Sequence, residues 1–258
     1  MKYFWILSLI LFAGCTETEQ TEELDTFNPD TENVDPFEGL SEVEAIELHI
    51  RQQLSISVDE PIDYTIYEEN CDGDDSLDAV IAVNLLDRAV KEAIQSGKTA
   101  KSAAIGYMGN YNYFIYRDGF TGDLSPAVVV PSSPKARLKV SFENVLSENQ
   151  KDILIDYRIL NAAYRNYFTI SNGNLAQVNQ LKLFDAVGTA EAVAFTVQYE
   201  DGMISNAKDI VSYKGSFDNP TFKTPDEVYS FEPDVMKTGE VQERWFFNPE
   251  DTKYYLKK

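Results

Sequence analysis

Four oxygen-bearing side chains within nine residues, Asn70, Asp72, Asp74 and Asp78, are the part of this sequence best suited to chemistry. They stand at positions 1, 3, 5 and 9 of Asn70-Cys-Asp-Gly-Asp-Asp-Ser-Leu-Asp78. A hard cation such as Ca2+ takes roughly six to eight oxygens at about 2.3–2.6 Å. A tight turn that points alternate side chains inward supplies four, and the Ser76 carbonyl and water can complete the shell. The expected cofactor is therefore Ca2+, held by Asn70, Asp72, Asp74 and Asp78. The alternative is an acidic surface turn with no metal.

The apolar run Ala79-Val-Ile-Ala-Val83 follows at once, so the loop leads into a strand. An EF-hand would continue into a helix and carry glutamate at its twelfth position, where this chain has Ile81. The segment instead resembles the calcium-binding hairpin of FG-GAP and VCBS-type repeats, Asp-x-Asp-Gly-Asp-Gly-x-x-Asp before an apolar strand. Asp72, Gly73, Asp74 and Asp78 match that pattern directly, and Asn70 replaces its first aspartate. Asp75 takes the place of the second glycine and is expected in a left-handed conformation. The resemblance covers Asn70–Val83 and implies a local metal device rather than a fold. Two segments repeat the frame weakly: Asn144–Asp152 before Ile-Leu-Ile155, and Asp201–Asp209 before Ile-Val211. Both have an apolar third position, so they read as hairpins without metal.

Cys15 is the second residue with chemistry of its own. It ends Met1-Lys-Tyr-Phe-Trp-Ile-Leu-Ser-Leu-Ile-Leu-Phe-Ala-Gly-Cys15: one cation, an apolar run, two small residues, then a thiol. Tyr3–Phe12 is too short to span a bilayer, which takes about twenty apolar residues. The segment has the layout of a secretory signal and resembles the lipobox of bacterial lipoproteins, with Phe12 departing from the usual aliphatic residue. That resemblance implies a signal peptide at 1–14, acyl chains of the palmitate type on Cys15, and attachment to the outer membrane. Residues 16–39 hold nine acids and no Lys or Arg, a composition that cannot bury enough apolar surface to order itself. Residues 15–39 are thus expected as an extended, lipidated tether. It resembles the acidic stretch of surface-exported lipoproteins of the Bacteroidota, which implies surface exposure; a periplasm-facing spacer is the alternative.

One domain is expected over 40–258. The formal charge of the whole chain is −21, and the domain stays acidic after the tether's nine acids and Lys2 are set aside. Nucleic acid is excluded as a partner, because phosphate contacts need clustered Lys and Arg. A protein or carbohydrate ligand stays open. With Cys15 lipidated, Cys71 has no partner for a disulfide. His49, the single histidine, lies off the apolar stripe of its expected helix and reads as a half-exposed surface residue. Ser96-Gly-Lys-Thr99 fails as a P-loop, since the first glycine of that motif would fall on Glu92. An enzyme is the less favoured reading; its form would be an envelope polysaccharide hydrolase using a carboxylate pair.

The elements that must position these residues are mostly strands. Ser41-Glu-Val-Glu44 forms a capping box, and Val43, Ile46, Ile50 and Leu54 recur at helical spacing, predicting an amphipathic helix over 42–55. One further short helix is expected at Leu85–Gln95. Ile62, Tyr64 and Ile66 alternate with polar neighbours as in a half-buried strand, and the fifteen Tyr and fifteen Phe favour β structure. Aromatic and β-branched runs recur from Tyr111 to Phe247, separated by Gly, Asn, Asp and Pro. The expected fold is mainly antiparallel β, sandwich-like or partial-propeller-like.

Overall fold

The protein is described by a computed structural model covering residues 37–105 and 107–257, with the side chains of 102–104 outside the description. The expected signal peptide, Cys15 and the expected tether up to residue 36 lie outside the described residues. By contact, residues 40–258 form one unit, the subject below.

The unit is mainly β, with two antiparallel sheets of four and eight strands. The chain opens with α1 (Glu42–Leu54), capped as its sequence demands. The Glu44 amide donates to Ser41 Oγ, and the Ser41 amide donates to Glu44 Oε2 at 2.9 Å. Ile46 and Ile50 are buried, whereas Val43, in the first turn, is 53 % exposed. The apolar stripe therefore begins one turn later than the spacing suggests.

Next come β1 (Asp63–Glu69), β2 (Asp78–Asn84), the helices α2 (Leu86–Ser96) and α3 (Thr99–Ala104), β3 (Asn112–Arg117) and β4 (Val128–Val129), with the sheet in the order β1-β2-β3-β4. β2 is buried along its whole length because both of its faces are covered. Ile81 and Val83 meet Ile46 and Ile50 of α1, while Val80 and Ala82 meet Ile153, Ile155 and Phe168 of the larger sheet. This is why Ala79–Val83 runs apolar without alternation. α1, the four-stranded sheet and the larger sheet lie in successive layers.

The larger sheet is a sequential meander: β5 (Lys139–Glu143), β6 (Asp152–Ile159), β7 (Ala162–Ser171), β8 (Asn174–Asp185), β9 (Val193–Glu200), β10 (Asp209–Ser216), β11 (Met236–Asn248) and β12 (Lys253–Leu256). The short helix α4 (Glu227–Ser230) lies between β10 and β11. Leu154 of β6, Tyr167 of β7, Ile210 of β10 and Tyr254 of β12 share one core. Six strand steps separate β6 from β12, ~29 Å in a flat sheet at about 4.8 Å per step. The sheet must curl to close that gap, and irregularities at Tyr167/Phe168 in β7 and Ser212/Tyr213 in β10 supply the bends such curvature needs.

Candidate functional site

Asn70–Asp78 joins β1 to β2, with Glu69 opposite Asp78 closing the ladder. The four expected ligands all lie in this turn, and its backbone amides engage each of them. Asn70 Oδ1 accepts from the Gly73 amide at 2.8 Å, and its Nδ2 donates to the Asp74 carbonyl. Asp72 Oδ1 accepts from the Asp74 amide at 3.0 Å; Asp74 Oδ1 accepts from the Ser76 amide at 2.6 Å. Asp78 is fully buried, accepting from the Cys71 amide at 2.8 Å and, across to the β3–β4 connection, from Gly119 at 2.9 Å. Among the described residues, no three His, Cys, Asp or Glu side chains converge closely enough to form a metal-binding group.

The electrostatics of the turn are those of crowded acids. Burial raises the Asp72 carboxyl above its ordinary range, and Asp78, Asp74 and Asp118 push it the same way. Burial, followed by Asp78 and Glu69, pushes the Cys71 thiol well up, so Cys71 is a buried apolar residue and no nucleophile. Asp75 is absent from the positive-φ residues; Gly73, at φ 85°, makes the left-handed turn alone. The expectation for Asp75 is thereby corrected, since one glycine suffices to reverse the chain. Gly119 has a steric reason to be glycine: a Cβ there would lie 2.1 Å from the Leu77 carbonyl oxygen.

The two weaker repeats occupy equivalent places, 144–152 between β5 and β6 and 201–209 between β9 and β10. Each ends, like the first, on a buried aspartate that accepts amides from early in its own loop. Asp152 Oδ2 takes Val145 at 3.0 Å and Leu146 at 2.7 Å. Asp209 Oδ1 takes Met203 at 3.4 Å, and its Oδ2 takes Arg244 at 3.0 Å. The loops also bond to one another: the Lys151 amide donates to the Asn70 carbonyl at 3.1 Å, and the Lys208 amide to the Val145 carbonyl at 2.8 Å. The ninth position, which the spacing marks as a metal ligand, is in all three loops the residue that fastens the turn.

His49 is half-buried, and its Nε2 lies 2.9 Å from the Ser125 carbonyl, to which it can only donate. Sequence reasoning missed a group of cations where the two sheets meet α4: Lys135, Arg137, Lys139 and Arg158. A signal was present in Lys135-Ala-Arg-Leu-Lys139, whose charges alternate with apolar residues at strand period. No helix among the described residues is long and apolar enough to cross a membrane. Comparison of the chain with protein-family models, with curated proteins and with solved structures finds no match.

Proposed function

We propose that the chain is a lipid-anchored protein of the bacterial outer membrane, carried on Cys15 and an acidic tether, with a β domain that serves a binding or structural role. Its β1–β2 hairpin is stabilised by Ca2+ through Asn70, Asp72, Asp74 and Asp78. The observation that carries the calcium reading is the placing of Asp72, Asp74 and Asp78 in one short turn, with Asp118 of the β3–β4 connection nearby; burial, then repulsion from these acids, raises the Asp72 carboxyl. A divalent cation relieves that repulsion, and an oxygen holding one amide keeps lone-pair capacity for a metal. Of the two architectures anticipated, the sandwich is favoured, because the sheets share the core of Val80, Phe114, Ile153 and Phe168.

Thermal unfolding of the full-length chain in detergent, in calcium and in chelator, tests the metal. At one hundred times the dissociation constant, calcium should stabilise the protein by about 2.7 kcal/mol, and D72N/D74N should abolish the gain. Identical melting in all samples would reduce the turn to an acidic loop. Labelled palmitate tests the anchor: it should label the wild type, and C15S should be unlabelled and leave the membrane fraction.

A further inference from the structure

Tyr67 of the four-stranded sheet, the β6–β8 region and the α4 segment line a half-open cavity of about 450 Å3, within the size range of small-ligand sites. One wall is Lys135–Lys139, in which Ala136 and Leu138 are buried and Lys135, Arg137 and Lys139 are exposed. Arg158, 6 % exposed, also lines the cavity, with its guanidinium 4.5 Å from the Phe184 ring centroid. Arg158 donates to the carbonyls of Val228, at 3.1 Å, and Phe231. Four cations on one cavity are notable in a chain with 43 acids and 22 bases.

Each of the four acids nearby is paired. Asp156 is held by Arg165 through two bonds of 2.6 and 2.7 Å, Asp63 pairs with Arg137, and Asp226 pairs with Lys135. Glu232 alone of the four bridges two cations of the cavity at once, Lys139 and Arg158, with its side chain 56 % exposed. A carboxylate thus stands at the mouth of a cationic cavity, supplied by a segment outside the sheets. Two half-buried tyrosines, Tyr67 and Tyr229, also line the space. An aromatic lining suits the apolar face of a sugar ring better than it suits a bare inorganic anion.

We propose that this cavity binds an acidic saccharide of one or two uronate residues, whose carboxylate takes the place between Lys139 and Arg158 that Glu232 fills in the free protein. This names a ligand class for the binding role above and rests on that role, but on neither the anchor nor the calcium.

Titration calorimetry on the full-length chain in detergent tests it, with digalacturonate, its neutral methyl ester and inorganic phosphate as probes. Digalacturonate should bind saturably at millimolar concentration or below, with the ester about tenfold weaker or worse, as loss of one charge-assisted contact predicts, and phosphate weaker for want of contact with the aromatic lining. K139Q should weaken digalacturonate about tenfold by the same reasoning, whereas E232Q should tighten it several-fold by removing the internal competitor. A purely structural Glu232 would not produce that gain. Arg158 is too buried to test safely; Lys139, with its side chain 60 % exposed, can change without unfolding the protein, and melting curves verify this. No binding of digalacturonate, equal binding of the ester or of phosphate, unchanged affinity in K139Q, or unchanged or weaker binding by E232Q would each overturn the proposal. If digalacturonate fails while calcium-dependent melting persists, the saccharide site alone falls.

Discussion

Asp78, Asp152 and Asp209 hold one rank in three loops, at 0 %, 0 % and 1 % exposure. Their carboxylates accept backbone amides, from Cys71 and Gly119, from Val145 and Leu146, and from Met203 respectively. Removing such an acceptor leaves buried donors unsatisfied, which costs about 1–3 kcal/mol. D78A should therefore lower stability by about 2–3 kcal/mol in calcium-free buffer, measured by chemical denaturation, whereas D75A, on an exposed side chain, should change little. Asp152 adds a pH dependence. Burial is the largest influence on it and raises its carboxyl, so the folded state binds its proton more tightly than the unfolded chain does. Its contribution to stability is then full below the unfolded-state value and falls as pH rises toward the folded one. D152N should flatten that fall in a stability-against-pH series; an unchanged slope would refute the assignment. At this scale the sequence was legible in part. Its spacing located all three loops, but it cannot tell a carboxylate that binds metal from one that caps amides, because both need an oxygen aimed into a turn.

The helices and strands were easier to read where only one neighbour decides their pattern. The capping box fixed the start of α1, and the Leu85–Gln95 helix appears as α2 one residue later. β12 and the length of β11 escaped notice, because Met236–Val241 is exposed and polar enough to look like a loop. Only pairing with Gly215 and Ser216 of β10 makes its first residues a strand. Packing also decides which residues of α1 matter. I50A should cost about 2–5 kcal/mol, as for other large-to-small changes in a core, while V43A should be near neutral. Equal effects in a denaturant titration would mean that α1 docks by a different face. G119A should be more harmful than any other change in its turn, since the added methyl meets the Leu77 carbonyl at 2.1 Å. The connection must then withdraw and release its amide from Asp78.

Across the whole domain, two properties lie beyond a linear reading. One is the curl of the eight-stranded sheet, which depends on bulges and on contacts between strands far apart in order. The other is the cationic cavity, whose residues come from both sheets and the α4 segment. Tyr254 tests the curl. It is 5 % exposed on the terminal strand, and its hydroxyl donates to the Lys208 carbonyl at 2.8 Å, binding β12 to the 201–209 loop. Burial pushes its phenol well up, with Asp152 and Asp209 adding to the effect. Y254A should cost about 3–5 kcal/mol by analogy with other buried aromatics and should lower the cooperativity of unfolding, because it uncouples the last strand from Leu154 and Tyr167.

The bond from the Lys151 amide to the Asn70 carbonyl joins a loop of the eight-stranded sheet to a loop of the four-stranded one. It is therefore a reporter of whether the two sheets stay together. In hydrogen–deuterium exchange, that single amide should be released whenever the layers part, even while strand amides within each sheet remain protected. If a cation tightens the Asn70–Asp78 turn, the change should register as slower exchange at Lys151, a residue of the other sheet.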